Sequence, residues 1–465
     1  VHSDPRGESE HNTKGESESV ARKYLIETHG CQMNVHDSER MAGLLEQAGY
    51  EPTSDDLDAD VVVLNTCSVR ERAEEKLFTR LGEFRQMSIE RGSRPMVAVA
   101  GCVAQQEGKR IFERSSAVDV IVGTQNLKQL PTLLEKAREQ EKSSVPVSAL
   151  DPIGDVSFPL GIARRFDPVK AYVTIIEGCN EFCAFCVVPY TRGHERMRPA
   201  ADIVAEARLA VDRGAREVQL LGQIVNHYQA PDDATCDFAG LLERLQNIEG
   251  LERIRFASPH PRHVTTRMIE AMRDLSKVCR HLHLPVQSGS TRVLATMRRR
   301  YTREAYLQLV DRLRDAMPDI ALSTDMIVGF PGETVEDFEE TLTLTATVRY
   351  HSMFSFKYSP RPNTLALKRL PDDVSEEEKT RRIVVLQALQ RETQQSLYRR
   401  LVGRTENVLV DSTSRRRDWE LSGRTSGNTV VNFPGEADWL GQLVPVRITD
   451  ANPNSLKGEP ACKSK

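Results

Sequence analysis

An apolar run, a turn holding one cysteine, and an amphipathic helical pattern recur three times: KYLIETHGCQMNVHDSERMAGLLEQAGY, DVVVLNTCSVRERAEEKLFTRLGEF and PMVAVAGCVAQQEGKRIFER. The cysteines are Cys31, Cys67 and Cys102, separated by 36 and 35 residues. That is the length of one strand-loop-helix unit, repeated. Right-handed crossovers make such strands parallel, so their C-terminal ends open on one edge of one sheet. Three thiols are therefore expected to meet there. A fourth unit, VDVIVGTQNL followed by LPTLLEKAREQ, carries no cysteine at the matching place. A single cysteine near a strand end is commonly small apolar filler. Three at one phase point instead to a three-thiolate site with one ligand position free.

The second constraint is EGCNEFCAFCVVPYTRG, residues 177 to 193, with Cys179, Cys183 and Cys186. Structural zinc is closed by four ligands, usually from two C-x2-C pairs. Only one such pair exists here, and His194 lies eight residues past Cys186 with Pro189 and Gly193 between. A three-ligand catalytic zinc stays open on spacing alone. A cubane cluster fits better, because it presents four iron corners and three thiolates leave one corner for a small molecule. Gly178, Phe182 and Phe185 suit a tight, partly desolvated loop around it.

C-x3-C-x2-C with an aromatic before the last cysteine resembles the signature of radical S-adenosylmethionine enzymes. In that family the free iron chelates the amino and carboxylate groups of the cofactor, whose reductive cleavage yields a 5′-deoxyadenosyl radical. The pairing with the upstream repeat is similar to the methylthiotransferases. GCQMN at 30 to 34, LNTCSVR at 64 to 70 and AGCVAQ at 100 to 105 look like that family's three N-terminal motifs. The resemblance implies two 4Fe-4S clusters. One sits on Cys179, Cys183 and Cys186; an auxiliary one, engaged in sulfur delivery, sits on Cys31, Cys67 and Cys102.

Downstream, AYVTII, EVQLLG, RIRFAS, HLHLPV, ALSTDMIVG and SMFSFKY alternate with helical patterns. Six β-α alternations argue for parallel strands under outer helices, which in the family resembled form a partial (β/α)6 barrel. The loops LGQ (221 to 223), ASPHPRH (257 to 263), PVQSGS (285 to 290) and GFPGET (329 to 334) should gather at the C-terminal rim. By resemblance, Phe185 belongs to the cofactor site, with Gly222, Gln223 and Ser288 near the methionine end and Ile327 and Gly329 near the adenine. GFPGET has no following Lys-Ser/Thr and is no Walker loop. His260 and His263 read as ordinary rim residues. One departure is LGQIVN, where the family typically has LGQNVN, so Ile224 replaces a polar side chain.

The C-terminal part reads as a long helix followed by strands ENVLVDST, DWELSGRT, NTVVNFP and QLVPVRIT, a small all-β barrel resembling the RNA-binding TRAM module. Arg415, Arg416 and Arg417 beside Trp419 suit phosphate contact and stacking, or else a solvated hairpin tip. Arg298 to Arg300 offer a second contact to RNA or cofactor. The expected division is a disordered tail over 1–21, an α/β parallel-sheet domain over 22–142, a linker over 143–164, the radical domain over 165–400, the β-barrel over 401–460 and a short tail.

The chain has 465 residues, 39% hydrophobic and 28% charged, and a formal charge of -4, which gives no chain-wide argument for nucleic acid. No run approaches a membrane span, and the polar start is unlike a secretory leader. Nine cysteines at irregular spacing fit reduced ligands better than a disulfide framework, and Cys236, Cys279 and Cys462 lack companions. These features read as a cytoplasmic protein, expected to be a monomer that accepts electrons from a reductant protein. By resemblance, its substrate would be tRNA, methylthiolated at C2 of an N6-dimethylallyl-type adenosine next to the anticodon. Related chemistry on a threonylcarbamoyl-adenosine or a ribosomal-protein aspartate, and a non-catalytic metal-containing RNA-binding protein, are the competing readings.

Overall fold

The computed structural model describes residues 21–68, 71–140, 147–152, 157–414 and 419–461. Most of the polar start, the Arg415 to Arg417 run and Cys462 lie outside the described residues.

The repeat folds into a six-stranded parallel sheet: β1 (Arg22–His29), β2 (Tyr50–Pro52), β3 (Val61–Thr66), β4 (Met96–Ala100), β5 (Val120–Val122) and β6 (Val147–Ala149), in the order β2-β1-β3-β4-β5-β6. Helix α1 (Gln32–Gln47) follows β1 and α2 (Glu71–Arg91) follows β3. Both faces of the central strands are covered, which is why they read as unbroken apolar runs. Val61, Val63, Ala98 and Ala100 pack with Met41, Ala42 and Leu45 of α1, while Val62, Leu64, Val97 and Val99 pack with Leu77, Leu81 and Phe84 of α2. The segment 143–164, expected as a linker, supplies the sixth strand, which pairs with β5.

The middle region continues with β7 (Lys170–Thr174) and a short antiparallel pair, β8 (Ile176–Glu177) with β9 (Arg196–Met197). It then runs through β10 (Glu217–Leu221), β11 (Arg253–Phe256), β12 (His281–His283), β13 (Ala321–Val328) and β14 (Ser352–Lys357). All the long pairings are parallel, in two three-stranded arcs, β11-β10-β7 and β12-β13-β14. The partial barrel thus divides between β11 and β12, where HLHLPV gives only a three-residue strand before Pro285 removes a donor.

The C-terminal unit is a closed barrel of β15 (Thr405–Thr413), β16 (Glu420–Arg424), β17 (Val430–Pro434), β18 (Leu443–Ala451) and β19 (Leu456–Pro460), joined in the order β15-β16-β17-β19-β18. The fifth strand, LKGEP, escapes sequence reading because Gly458 and Pro460 mask its period; closure onto β17 and β18 creates it. Two arginines of β11 fasten this barrel to the middle one. Arg253 donates to the Asn407 carbonyl at 2.7 Å. Arg255 donates to the carbonyls of Thr425 at 2.6 Å and Ser426 at 3.0 Å while paired with buried Glu217 at 3.0 Å.

A buried polar seam joins the first sheet domain to the middle barrel. Arg165 bridges Glu39 of α1 at 3.0 Å and Glu206 at 2.8 Å, and Glu206 also accepts from Arg198 at 2.8 Å. His36 of α1 is fully buried against Thr174 Oγ1 at 2.8 Å. Its Nε2 lies 3.5 Å from Glu206, whose charge Arg165 and Arg198 already neutralise. Burial and neighbouring Arg40 therefore hold His36 neutral, its pKa lowered to about 3. Among the described residues, no helix is long and apolar enough to cross a membrane.

Candidate functional site

Cys31 stands at the N-cap of α1, Cys67 directly follows β3, and Cys102 opens the short helix Cys102–Glu107 after β4. The common sheet edge brings them together. Cys31 and Cys67 are hydrogen-bonded, which, against burial, lowers the Cys31 pKa to about 6. Close approach depends on glycine at two points. A Cβ on Gly30 would fall 2.5 Å from Asn34 Oδ1 and 2.7 Å from Cys67 Cβ, and one on Gly101, at φ +89°, would fall 2.3 Å from Asn65 Oδ1. Asn34 and Asn65 lock the edge by donating to each other: Asn34 Nδ2 to Asn65 Oδ1 at 3.0 Å, and Asn65 Nδ2 to the Asn34 carbonyl at 2.8 Å.

The second trio occupies the loop between β8 and the short helix Val188–Thr191. Cys179 N–H donates to the Gly193 carbonyl at 3.1 Å and Cys186 N–H to the Cys183 carbonyl at 3.0 Å, folding the loop on itself. Gly178, at φ +79°, has its Cβ position filled by the backbone of His194, 2.1 Å away. Burial pushes the Cys179 thiol up to about 11, and burial with the Cys183 charge pushes Cys186 up to about 12. Thiols held protonated by desolvation need a bound cation to ionise.

Two arginines finish these sites, and neither role was visible in the sequence. Arg192 leaves the barrel at the end of VVPYTRG and is buried in the first sheet domain. It donates to Asp37 Oδ2 at 2.6 Å and brings positive charge beside Cys102 and Cys31. Its backbone is tied down too, since Gln125 Nε2 donates to the Arg192 carbonyl at 2.9 Å and Thr124 Oγ1 to the Thr191 carbonyl at 2.5 Å. The cysteine-free fourth unit, GTQNL, therefore docks the loop that follows the second trio. Arg299 is buried with Nη1 3.5 Å from Cys183 Sγ, Nη2 on the Pro285 carbonyl at 2.8 Å and Nε on Tyr301 Oη at 3.0 Å. Arg298 and Arg300 on either side hold φ near +60° and are exposed, Arg300 pairing with Glu181 at 3.2 Å.

Of the residues expected at the cofactor, Phe185 and Ile327 border one apolar cluster, with Phe185 edge-on to Phe330 at 6.4 Å. Ser288 sits beside Ile327 through the Ile327 N–H to Gln287 carbonyl bond of 2.9 Å, and its hydroxyl accepts from Ser290 N–H at 3.2 Å. Gly222 packs under Ile176 and Val225. Gln223 Oε1 is buried without a hydrogen-bond partner among the described residues. Gly329 is different: Lys379 fills its Cβ position at 2.3 Å and its N–H is taken by Glu333, so it serves the turn. Ile224 is buried. His263 faces Glu181 of the cysteine loop at 2.8 Å, and burial lowers the His260 pKa to about 2. Cys236 and Cys279 are buried.

The residues present fit two cubanes. Each trio is a set of buried or half-buried thiols with a guanidinium against it, and the Thr66 and Ser68 hydroxyls flanking Cys67 are buried without partners among the described residues. Among those residues no three His, Cys, Asp or Glu side chains are grouped to hold a single ion. A cubane spreads its thiolates over separate irons.

Comparison with known proteins agrees with the division into three units. Residues 23–123 match uncharacterized protein family UPF0004, 173–345 the Radical SAM superfamily, and 399–461 the TRAM domain. Among solved structures, the radical S-adenosylmethionine methyltransferase TsrM from Kitasatospora setae superposes with a TM-score of 0.55 at 15% identity over 75% of each chain, a likeness of fold. Among curated proteins, the tRNA-2-methylthio-N(6)-dimethylallyladenosine synthase of Syntrophus aciditrophicus is 42% identical over 98% of both chains. Those of Geobacter metallireducens and Thiobacillus denitrificans are each 46% identical, over 93% and 94% of this chain and 97% and 98% of theirs. Relatedness at this level runs through all three units, and by it the chain belongs to the tRNA-2-methylthio-N(6)-dimethylallyladenosine synthase family.

Proposed function

We propose that the protein is a radical S-adenosylmethionine methylthiotransferase that places a methylthio group on C2 of N6-dimethylallyladenosine next to the anticodon of tRNA. The observation that supports this reading is Arg192, which runs from the loop of one cysteine trio to Asp37 and lies beside Cys31 and Cys102 of the other. The radical family implies a 4Fe-4S cluster and S-adenosylmethionine at Cys179, Cys183 and Cys186. We assign a second 4Fe-4S cluster to Cys31, Cys67 and Cys102. When bound, these groups would supply one-electron cofactor cleavage and take part in sulfur delivery, with one S-adenosylmethionine as radical source and another as methyl donor, which suits an aromatic C–H that is neither acidic nor electrophilic.

The chain's own residues hold, orient and tune. Arg299 donates an N–H to Cys183 and Arg192 places its positive charge beside Cys102, positions that favour the thiolate forms and would tune the potential of a bound cluster. Phe185 and Ile327 border an apolar wall suited to the adenine face, while Gln223 and Ser288 offer polar atoms to the methionine end. The Asn34 and Asn65 lock keeps Cys31 and Cys67 at contact. The C-terminal barrel, fastened by Arg253 and Arg255, presents the RNA-binding module at a fixed position. A separate protein reductant supplies the electrons.

The test is anaerobic iron and sulfide analysis with tRNA nucleoside mass spectrometry. Wild type is expected to carry roughly eight irons. Cys183→Ala should abolish cofactor cleavage. Cys67→Ala should lose about half the iron and keep cleavage while methylthiolation stops. Full methylthiolation by Cys67→Ala would overturn the auxiliary assignment.

A further inference from the structure

The mechanism leaves unused two exposed aromatic side chains beside the second cysteine trio. Phe182, between Cys179 and Cys183, holds φ at +50°, a backbone state that a bulky aromatic rarely adopts. Phe182 is 37% exposed, and Tyr190, in VVPYTRG, is 44% exposed. The centroids are 6.5 Å apart at 82°, with His194 6.1 Å from Phe182. Two nearly perpendicular faces form an open corner, into which a planar heterocycle fits flat on one ring and edge-on to the other.

The surroundings are cationic. Lys368 Nζ lies 5.8 Å from the Tyr190 centroid, on the helix Leu365–Arg369, which is tied to the cysteine loop by the Ala366 N–H to Ala184 carbonyl bond of 2.8 Å. On the other side of Phe182, Glu181 is shared by His263 at 2.8 Å, Arg300 at 3.2 Å and Arg262 at 3.5 Å. Glu195 pairs with His227 at 3.0 Å, and the His227 ring lies 4.3 Å from that of His263, so a second carboxylate offsets the second half-exposed guanidinium; Arg300 and Lys368 remain the exposed cations flanking the aromatic pair. Exposed aromatics interleaved with cations are the chemistry of single-stranded nucleic acid, in which bases stack and phosphates pair with Lys and Arg.

We infer that Phe182 and Tyr190 form a stacking corner for an unstacked base of the tRNA anticodon loop, with Lys368 and Arg300 on the adjoining phosphates. This rests on the tRNA reading above. It adds a contact at the barrel rim, separate from the C-terminal barrel, that holds the loop where the target adenosine must enter.

The test uses anaerobic full-length protein and an anticodon stem-loop hairpin, by fluorescence anisotropy. Tyr190→Leu and Phe182→Leu should weaken binding about tenfold or more, whereas Tyr190→Phe should bind as wild type. Iron and sulfide content reports that the loop still forms. Lys368→Gln should instead lower the slope of log affinity against log salt by about one. An abasic nucleotide next to the target should abolish the Tyr190→Leu effect. Failure of wild type to bind the hairpin would sink the tRNA reading and this inference with it. Tight wild-type binding with unchanged affinity in both leucine variants would sink this inference alone. Slowed electron transfer from a flavoprotein in those variants would then identify the corner as a reductant dock.

Discussion

His36 makes the junction between the first sheet domain and the barrel sensitive to acid, and His36→Gln should remove that sensitivity. The ring is fully buried, and burial, with Arg40 nearby, lowers its pKa to about 3 from an ordinary 6.5. The unfolded chain therefore takes up the proton first. The stability that neutral His36 contributes is complete above pH 6.5 and falls away toward pH 3. The interval from 6.5 down to about 3 corresponds to about 4–5 kcal/mol over the whole range, of which about 1.5–2 kcal/mol is lost between pH 6.5 and about pH 5. Glu206, held well below the usual carboxylate range by His36, Arg198 and Arg40 against burial, keeps its contribution through that window. Glu39, raised by burial, changes with the opposite sign, but it does so in wild type and variant alike and cancels in the difference. The assay is hydrogen exchange of peptides covering α1 and β7, corrected for intrinsic rate, at the two pH values. Wild type should lose protection at the lower pH and His36→Gln should lose clearly less. Parallel pH profiles would refute the reasoning.

Two further perturbations address the buried arginines. Arg299→Gln removes a guanidinium from Cys183 and should move the midpoint potential of the first cluster negative by on the order of 50 mV, about a tenfold change in a one-electron equilibrium. A redox titration followed by electron paramagnetic resonance measures it, and an unchanged potential would mean that Arg299 only braces the Pro285 loop. Arg255→Met leaves Glu217 buried without its partner, at about 3–5 kcal/mol, and frees two carbonyls of the C-terminal barrel. Limited proteolysis between the helix Glu376–Arg399 and β15 should accelerate and hairpin affinity should fall; an unchanged cleavage rate counts against the latch.

Local chemistry fixed the outline. Cys31, Cys67 and Cys102 recur at one phase of a strand-loop-helix unit, so a parallel sheet must put them at one edge. Three cysteines within eight residues fold into one loop whatever surrounds them. The strands of the middle region announce themselves by apolar runs ending in glycine or polar turns. Where the period was masked, reading failed: β19 carries glycine and proline, and β6 is three residues in what reads as linker. Resemblance alone puts Gly329 near the adenine, and its sequence context does not show that its missing Cβ makes room for Lys379 from a distant helix.

What only the tertiary structure decided are the partners that complete each site. Arg192 meets Asp37 across 155 residues, Arg299 meets Cys183 across 116, and Arg255 meets Thr425 across 170. An arginine in a polar run reads as a solvated charge, because nothing local distinguishes one that will be buried against a thiol. Periodicity and spacing are properties of neighbours along the chain, whereas burial of a charge is set by whichever remote element folds over it. The sequence alone therefore determined where the sulfurs gather, and the packing of three units against one another determined which charges tune them.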